Sequence, residues 1–339
     1  MSARPVIGAL LALALAAANA RAADDASPSR LPVKRVADQS MTVRGPAGEG
    51  MLRLYLSRDW SRPLPEILRA VIVIHGVQRD AEGYYRSAQA ALAASGQEAG
   101  TMLIVPQFLI GRDIEAHGLS STTLRWRLTG WESGADAEGP AALSSFEALD
   151  AILARLADAA TFPHLAHIVL AGHSGGGQMV QRYAVLAHAA GRVAPRFVVA
   201  NPSSYAYFSA ERPAPVDPAA CPSFDHWKYG MAGLPRYAGN TLPPVLEQAY
   251  VTREVIYLLG TADTDPQHPA LDKSCMAEAQ GPDRLARGLA YVAYLKRRHP
   301  DLAQRLWTVP GIGHSADRML TSPCGLAALF DTPGCVGKK

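Results

Sequence analysis

A chain of 339 residues, 48% hydrophobic and 19% charged, has the make-up of a soluble globular protein with a large core. Its formal net charge of +3 is too small to mark a nucleic-acid-binding surface. Its 25 Pro and 29 Gly suit a loop-rich α/β protein better than a helical bundle.

The first residues read as an export signal. Arg4 supplies a thin positive n-region, and 6–18 is an apolar run broken only by Gly8, too short for a comfortable membrane span. Ala18-Asn19-Ala20 and Ala20-Arg21-Ala22 each offer a small-x-small cleavage site. Residues 1–22 are therefore expected to be removed, leaving a periplasmic or secreted protein with no stable membrane anchor. Residues 23–48, polar and proline-containing, are expected to form a loose leader to a single domain over 49–335. Cys221, Cys275, Cys324 and Cys335 suit two disulfides in that compartment. Of the possible connectivities, Cys324–Cys335 with Cys221–Cys275 is expected, because the first pair is close in sequence. No Cys-x-x-Cys or histidine spacing points to a metal.

Along the chain, 51–56 alternates as an edge strand, and 70–74 is a continuous β-branched run suited to burial on both faces. A helical segment is expected at 82–95, a strand at 102–105, and an amphipathic helix at 144–158 with Phe146, Leu149, Ile152, Leu153 and Leu156 on one face. Strand 167–171 precedes a helix at 178–190, and strand 197–200 follows. Residues 201–250 break this rhythm and are expected to form an irregular insertion over the site. Strand 254–259, helix 283–298, strand 305–309 and a short helix at 325–330 complete the chain. Alternating buried strands and amphipathic helices predict a doubly wound, mostly parallel sheet with helices on both faces. Ligands in such sheets sit beyond the carboxyl ends of the strands.

The chemistry gathers at those ends. Gly172-His173-Ser174-Gly175-Gly176 lies between a strand and a helix, the context in which a Gly-x-Ser-x-Gly turn exposes a nucleophilic serine. A serine hydroxyl needs a base to take its proton. His314, between Gly313 and the chain beyond the last strand, is the candidate, and Asp263 is the candidate acid to orient it. Asp265 is the rival carboxylate; Asp263 is favoured because it lies three residues past the glycine that ends its strand. Two backbone N–H groups are expected to receive the oxyanion, that of Gly175 and that of Val77, with Gln78 as the alternative. His75 is expected to hold that turn by hydrogen bonds, and His173 to be a packing residue.

These residues resemble the α/β-hydrolase family in its nucleophile elbow (Gly172 to Gly176), its His-Gly oxyanion turn (His75-Gly76-Val77), its acid loop (Gly260-Thr261-Ala262-Asp263) and its histidine loop (Gly313-His314). The resemblance implies an eight-stranded mostly parallel sheet, a Ser-His-Asp triad and no cofactor. The acid loop also looks like that of secreted polyester depolymerases and feruloyl-type esterases. The oxyanion turn departs from the triple-glycine lipase type.

Substrate contacts are expected from Gln78 and Arg79 after the oxyanion turn, from Trp131 in the 125–131 loop, and from Tyr205 at the start of the insertion. Each has a plainer alternative: Arg79 pairing with Asp80, an ordinary packed loop around Trp126 and Trp131, and a proline-stabilised turn at 201–207. The expected activity is hydrolysis of small or oligomeric carboxylic esters through an acyl-enzyme. An amidase or peptidase with the same triad is the alternative, and a binding protein on an inactive hydrolase fold is a third class.

Overall fold

The computed structural model describes residues 28–188 and 191–335; the expected export signal at 1–22 lies outside these residues. Eight strands form one sheet: β1 (Gln39–Gly45), β2 (Gly48–Leu56), β3 (Arg69–Ile74), β4 (Thr101–Gln107), β5 (His167–His173), β6 (Pro195–Ala200), β7 (Val255–Gly260) and β8 (Arg305–Val309). Their order is β1-β2-β4-β3-β5-β6-β7-β8. The β1/β2 and β2/β4 pairs are antiparallel and the remainder are parallel.

The loose leader expected at 23–48 is corrected in part. Within it β1 pairs along its whole length with β2. Only Val43 of β1 is fully buried, so this edge strand lacks the apolar alternation that marks its neighbours. Val33 and Ala37 are also buried, through backbone N–H groups donated to Asp113 Oδ1 at 2.9 Å and Gln107 Oε1 at 2.9 Å.

The central strands are buried on both faces, which explains their unbroken β-branched runs. Ala70, Ile72 and Ile74 of β3 point into one core, and Val71 and Val73 into the other. Helices α1 (Ala81–Ser95), α2 (Gly111–Ala116), α3 (Ser145–Leu156), α4 (Gly175–Leu186), α5 (Pro243–Val251), α6 (Cys275–Glu278), α7 (Arg284–Arg298), α8 (Ala316–Leu320) and α9 (Pro323–Phe330) flank the sheet. Side chains of α3, α4, α5 and α7 fill the first core; those of α1, α8 and α9 fill the second. Local chemistry sets the helix starts. Ser144 caps α3 in a capping box with Glu147, Asp80 caps α1 and Asp283 caps α7.

Most of 201–250 has no regular structure, yet it is packed. Arg212 ties the loop together by donating to the carbonyls of Ser209, Glu211, Phe224 and Tyr229. The end of this stretch is helix α5, which begins at Pro243, a residue suited to the first turn of a helix. Disulfides join Cys221 to Cys275 and Cys324 to Cys335. The first fastens the irregular stretch to α6, beyond the loop that follows β7.

Candidate active site

Three strand-end loops meet at Ser174. Ser174 caps α4 with φ 60° and ψ −122°, a strained backbone for a residue with a Cβ. The neighbouring glycines allow the turn. A Cβ on Gly172 would lie 2.2 Å from the carbonyl oxygen of Gly176, and one on Gly176 would lie 2.2 Å from that of Ile74. Ser174 N donates to the Ala200 carbonyl at 3.0 Å, fixing the elbow to the end of β6.

His314 Nε2 is 2.9 Å from Ser174 Oγ, and His314 Nδ1 is 2.7 Å from Asp263 Oδ2. The loops that bring them together are knitted to one another. Ala262 N donates to Ile312 O at 3.0 Å, and Gly311 N donates to Thr261 Oγ1 at 2.9 Å. Asn201, at φ 43°, accepts from Gly260 N through Oδ1 and donates to Gly313 O through Nδ2, so one side chain joins both loops. Asp265, the rival carboxylate, is exposed and accepts from Gln267 N instead. Burial lowers the pKa of His314, and the nearby charges of Arg284 and His268 act in the same direction against the raising effect of Asp263.

The turn after β3 completes the arrangement. The Gly76 carbonyl accepts from Arg79 N at 2.9 Å and from His75 Nδ1 at 2.9 Å. His75 Nε2 accepts from Phe108 N at 3.0 Å, which makes this imidazole the neutral Nδ1–H form. Its burial agrees, pushing the pKa down to about 4. With Gly76 fixed, the backbone nitrogen of Val77 lies 3.1 Å from where a Gly175 Cβ would sit. Val77 N and the free first turn of α4 therefore border the same space, where backbone N–H groups and the helix dipole favour negative charge.

Glu132 adjoins this space, and no motif pointed to it. Its Oε2 is 3.3 Å from the same Gly175 Cβ position. The carboxylate is buried and neutralised: Lys228 Nζ sits 2.8 Å from Oε1, and Gln178 Nε2 donates to Oε2 at 2.9 Å. Arg182, also buried, donates to the Glu132 carbonyl, to Gln178 Oε1 and to Ser204 Oγ. These partners are far apart in sequence, so spacing could not reveal them. Asn201 had a signal, since asparagine just past a strand end tolerates positive φ.

The expected substrate contacts divide. Gln78 is exposed beside the half-buried Val77. Arg79 is fully buried and pairs with Asp113, not Asp80, at 2.8 Å; it also donates to Ser29 O and Leu31 O. Asp80 caps α1 instead. Trp131 is fully buried, stacked on Phe108 at 5.6 Å and tilted against His75 at 4.8 Å, behind the oxyanion turn. Tyr205 is fully buried, stacked 4.5 Å from Tyr291. These three expectations are corrected: the side chains are structural, and none faces solvent. His173 is buried as expected of a packing residue, with Nδ1 3.2 Å from the Tyr84 hydroxyl, and its ring lies 4.6 Å from that of His314, against the relay.

No protein-family model matches the chain, and no curated protein matches it in sequence. Among solved structures it is similar to poly(aspartic acid) hydrolase-1 from Sphingomonas sp. KT-1, with 26% identity, TM-score 0.58, and 85% of this chain and 96% of that one covered. This chain has the α/β-hydrolase fold. A second similar structure is a poly(3-hydroxybutyrate) depolymerase from Bordetella parapertussis, with 21% identity, TM-score 0.61 and coverage of 86% and 90%. The shared fold and the hydrolytic enzymes it is similar to support an enzyme, and ester hydrolysis in general terms.

Proposed function

We propose that this protein is an exported carboxylic ester hydrolase in which Ser174, His314 and Asp263 form the catalytic triad. One observation carries the reading: the continuous relay from Ser174 Oγ through His314, at 2.9 Å and 2.7 Å, to Asp263 Oδ2. Ser174 Oγ attacks the ester carbonyl carbon as its proton passes to His314 Nε2. The resulting oxyanion is received by the N–H groups of Val77 and Gly175. The C–O bond to the alcohol breaks, His314 returns the proton to that oxygen, and an acyl ester of Ser174 remains. Water then attacks this ester, giving up a proton to His314, which passes it to Ser174 Oγ as the acid product leaves. Asp263 fixes the imidazole tautomer and stabilises the imidazolium.

Export is supported by the leader pattern of 1–22 and by two disulfides, which persist in oxidising compartments. A second reading, amide cleavage by the same residues, is favoured by the neighbour named for poly(aspartic acid), because a polymer of an amino acid is joined by amide bonds.

The test is turnover of p-nitrophenyl esters of graded chain length beside p-nitroanilides and poly(aspartic acid), together with labelling by a fluorophosphonate. Ester turnover and labelling that both vanish in Ser174→Ala are expected, with kcat falling by at least about 10⁴-fold. Labelling retained in that variant rejects the nucleophile assignment. Turnover confined to the amides selects the second reading.

A further inference from the structure

The triad acid has a partner of its own. Asp263 presents Oδ2 to His314, and its other oxygen, Oδ1, accepts from Arg284 Nη1 at 3.3 Å. Arg284 is fully buried, so it meets neither bulk solvent nor a bound substrate. It is the first residue of α7, whose start is fixed by the Asp283 cap. In the same turn Leu285 N donates to the Asp263 carbonyl at 3.3 Å. The guanidinium is aimed by two further contacts: Nε donates to Ser203 Oγ at 3.1 Å, and Nη2 lies 3.5 Å from His268 Nδ1. Three residues on, Arg287 donates to the carbonyls of Ser203 and Asp272, clamping the start of the irregular stretch on the same helix.

We infer that Arg284 is a positioning residue that extends the relay to Ser174–His314–Asp263–Arg284 and sets the proton affinity of the base. Two physical effects follow from its place. A planar donor on Oδ1 fixes the carboxylate so that Oδ2 faces His314. A permanent cation beside the carboxylate offsets part of its charge, so His314 holds an added proton less tightly. The groups around His314 are Asp263 and Arg284 from the acid side, and the rings of His268 and His173, whose centroids lie 5.0 Å and 4.6 Å from its own. Asp265 and Arg287 act on Arg284 itself. Arg284 and His268 both oppose protonation of His314, while Asp263 favours it.

This inference rests on the proposed triad, and the test separates the two. The pH dependence of kcat/KM for a p-nitrophenyl ester, and of fluorophosphonate labelling, is measured for the wild type, Arg284→Gln, Arg284→Lys and Ser203→Ala. In Arg284→Gln the acid limb is expected to move up by about one pH unit, with kcat lowered and KM little changed. Arg284→Lys keeps the charge and is expected to return the limb towards the wild-type position. Ser203→Ala leaves the guanidinium less well aimed and is expected to shift the limb in the same direction by less. A limb unmoved in Arg284→Gln, or moved equally in Arg284→Lys, overturns the inference. If Arg284→Gln does not fold, Ser203→Ala carries the test, and an unmoved limb there overturns it. Wild-type protein that is not labelled on Ser174 brings down the triad reading itself, whatever Arg284 does.

Discussion

Lys228 Nζ lies 2.8 Å from Glu132 Oε1, joining residues 96 positions apart at the edge of the space bordered by Val77 and Gly175. Glu132 is almost wholly buried, so its charge depends on this partner for compensation. Lys228→Met is expected to cost roughly 3 kcal/mol in denaturant unfolding, because it leaves a buried carboxylate unpaired. It should also lower kcat for esters by at least about tenfold, since an uncompensated negative charge would face the developing oxyanion. Lys228→Met combined with Glu132→Gln should recover most of both losses. A double variant no better than the single one would show that Lys228 acts by packing alone.

Acid should weaken the fold through its buried histidines. His75 has its pKa pushed down to about 4 in the folded protein by burial. The unfolded chain, with an ordinary histidine value near 6.5, binds the proton more readily. Stability is therefore complete above about pH 6.5 and is lost progressively as pH falls towards 4, by about 3 kcal/mol from this residue. His173 shifts in the same direction, again chiefly through burial. Urea midpoints at pH 7, 5.5 and 4.5 would reveal the slope. His75→Gln should be less stable at pH 7 but lose less on acidification; an equal slope would place the acid sensitivity elsewhere.

The same sign governs activity. His314 must be neutral to accept the Ser174 proton, and burial lowers its pKa. The acid limb of kcat/KM should thus lie below the ordinary histidine range. A limb above 6.5 would mean that the attraction of Asp263 outweighs burial.

Arg79 provides a contrast between binding and structure. Arg79→Met is expected to cost about 3–5 kcal/mol, as it abandons the buried Asp113 carboxylate. KM for an anionic ester should change no more than KM for a neutral one. A selective rise with the anionic ester would restore Arg79 to the substrate contacts.

The disulfides should differ in weight. The 54-residue separation of Cys221 and Cys275 gives a longer closed loop than the 11-residue separation of Cys324 and Cys335. Loop-entropy scaling assigns them roughly 4 and 3 kcal/mol. Paired Cys→Ala variants, unfolded in urea, would rank them; no loss on reduction would indicate that the thiols are not joined in solution.

The parts of this fold that were legible in sequence are those where one local rule decides. A β-branched run such as 70–74 has to be buried on both faces, and the Gly172–Gly176 elbow requires glycine at its close backbone approaches. Strand β1 escaped because an edge strand with one fully buried side chain has little apolar alternation to read. Arg79, Trp131 and Tyr205 were misplaced for a related reason. Their polar or amphipathic side chains suggest a surface, and only the fold supplies the partners that let them be buried. Glu132 with Lys228, and Asp263 with Arg284, meet only after distant loops have closed, so no spacing announces them.

The anchoring of Arg79 on Ser29 and Leu31 bears on how far the chain can be shortened from its amino end. Residues 29–37 run from these carbonyls to the Val33 and Ala37 contacts with Asp113 and Gln107, lashing this stretch beside the turn that presents Val77. Removal of the proposed signal at 1–22 would spare every one of these ties. A protease that trimmed a dozen residues further would strip the carbonyl acceptors from a buried guanidinium two positions from Val77, so the tolerable length of any trimming is bounded from within the folded domain.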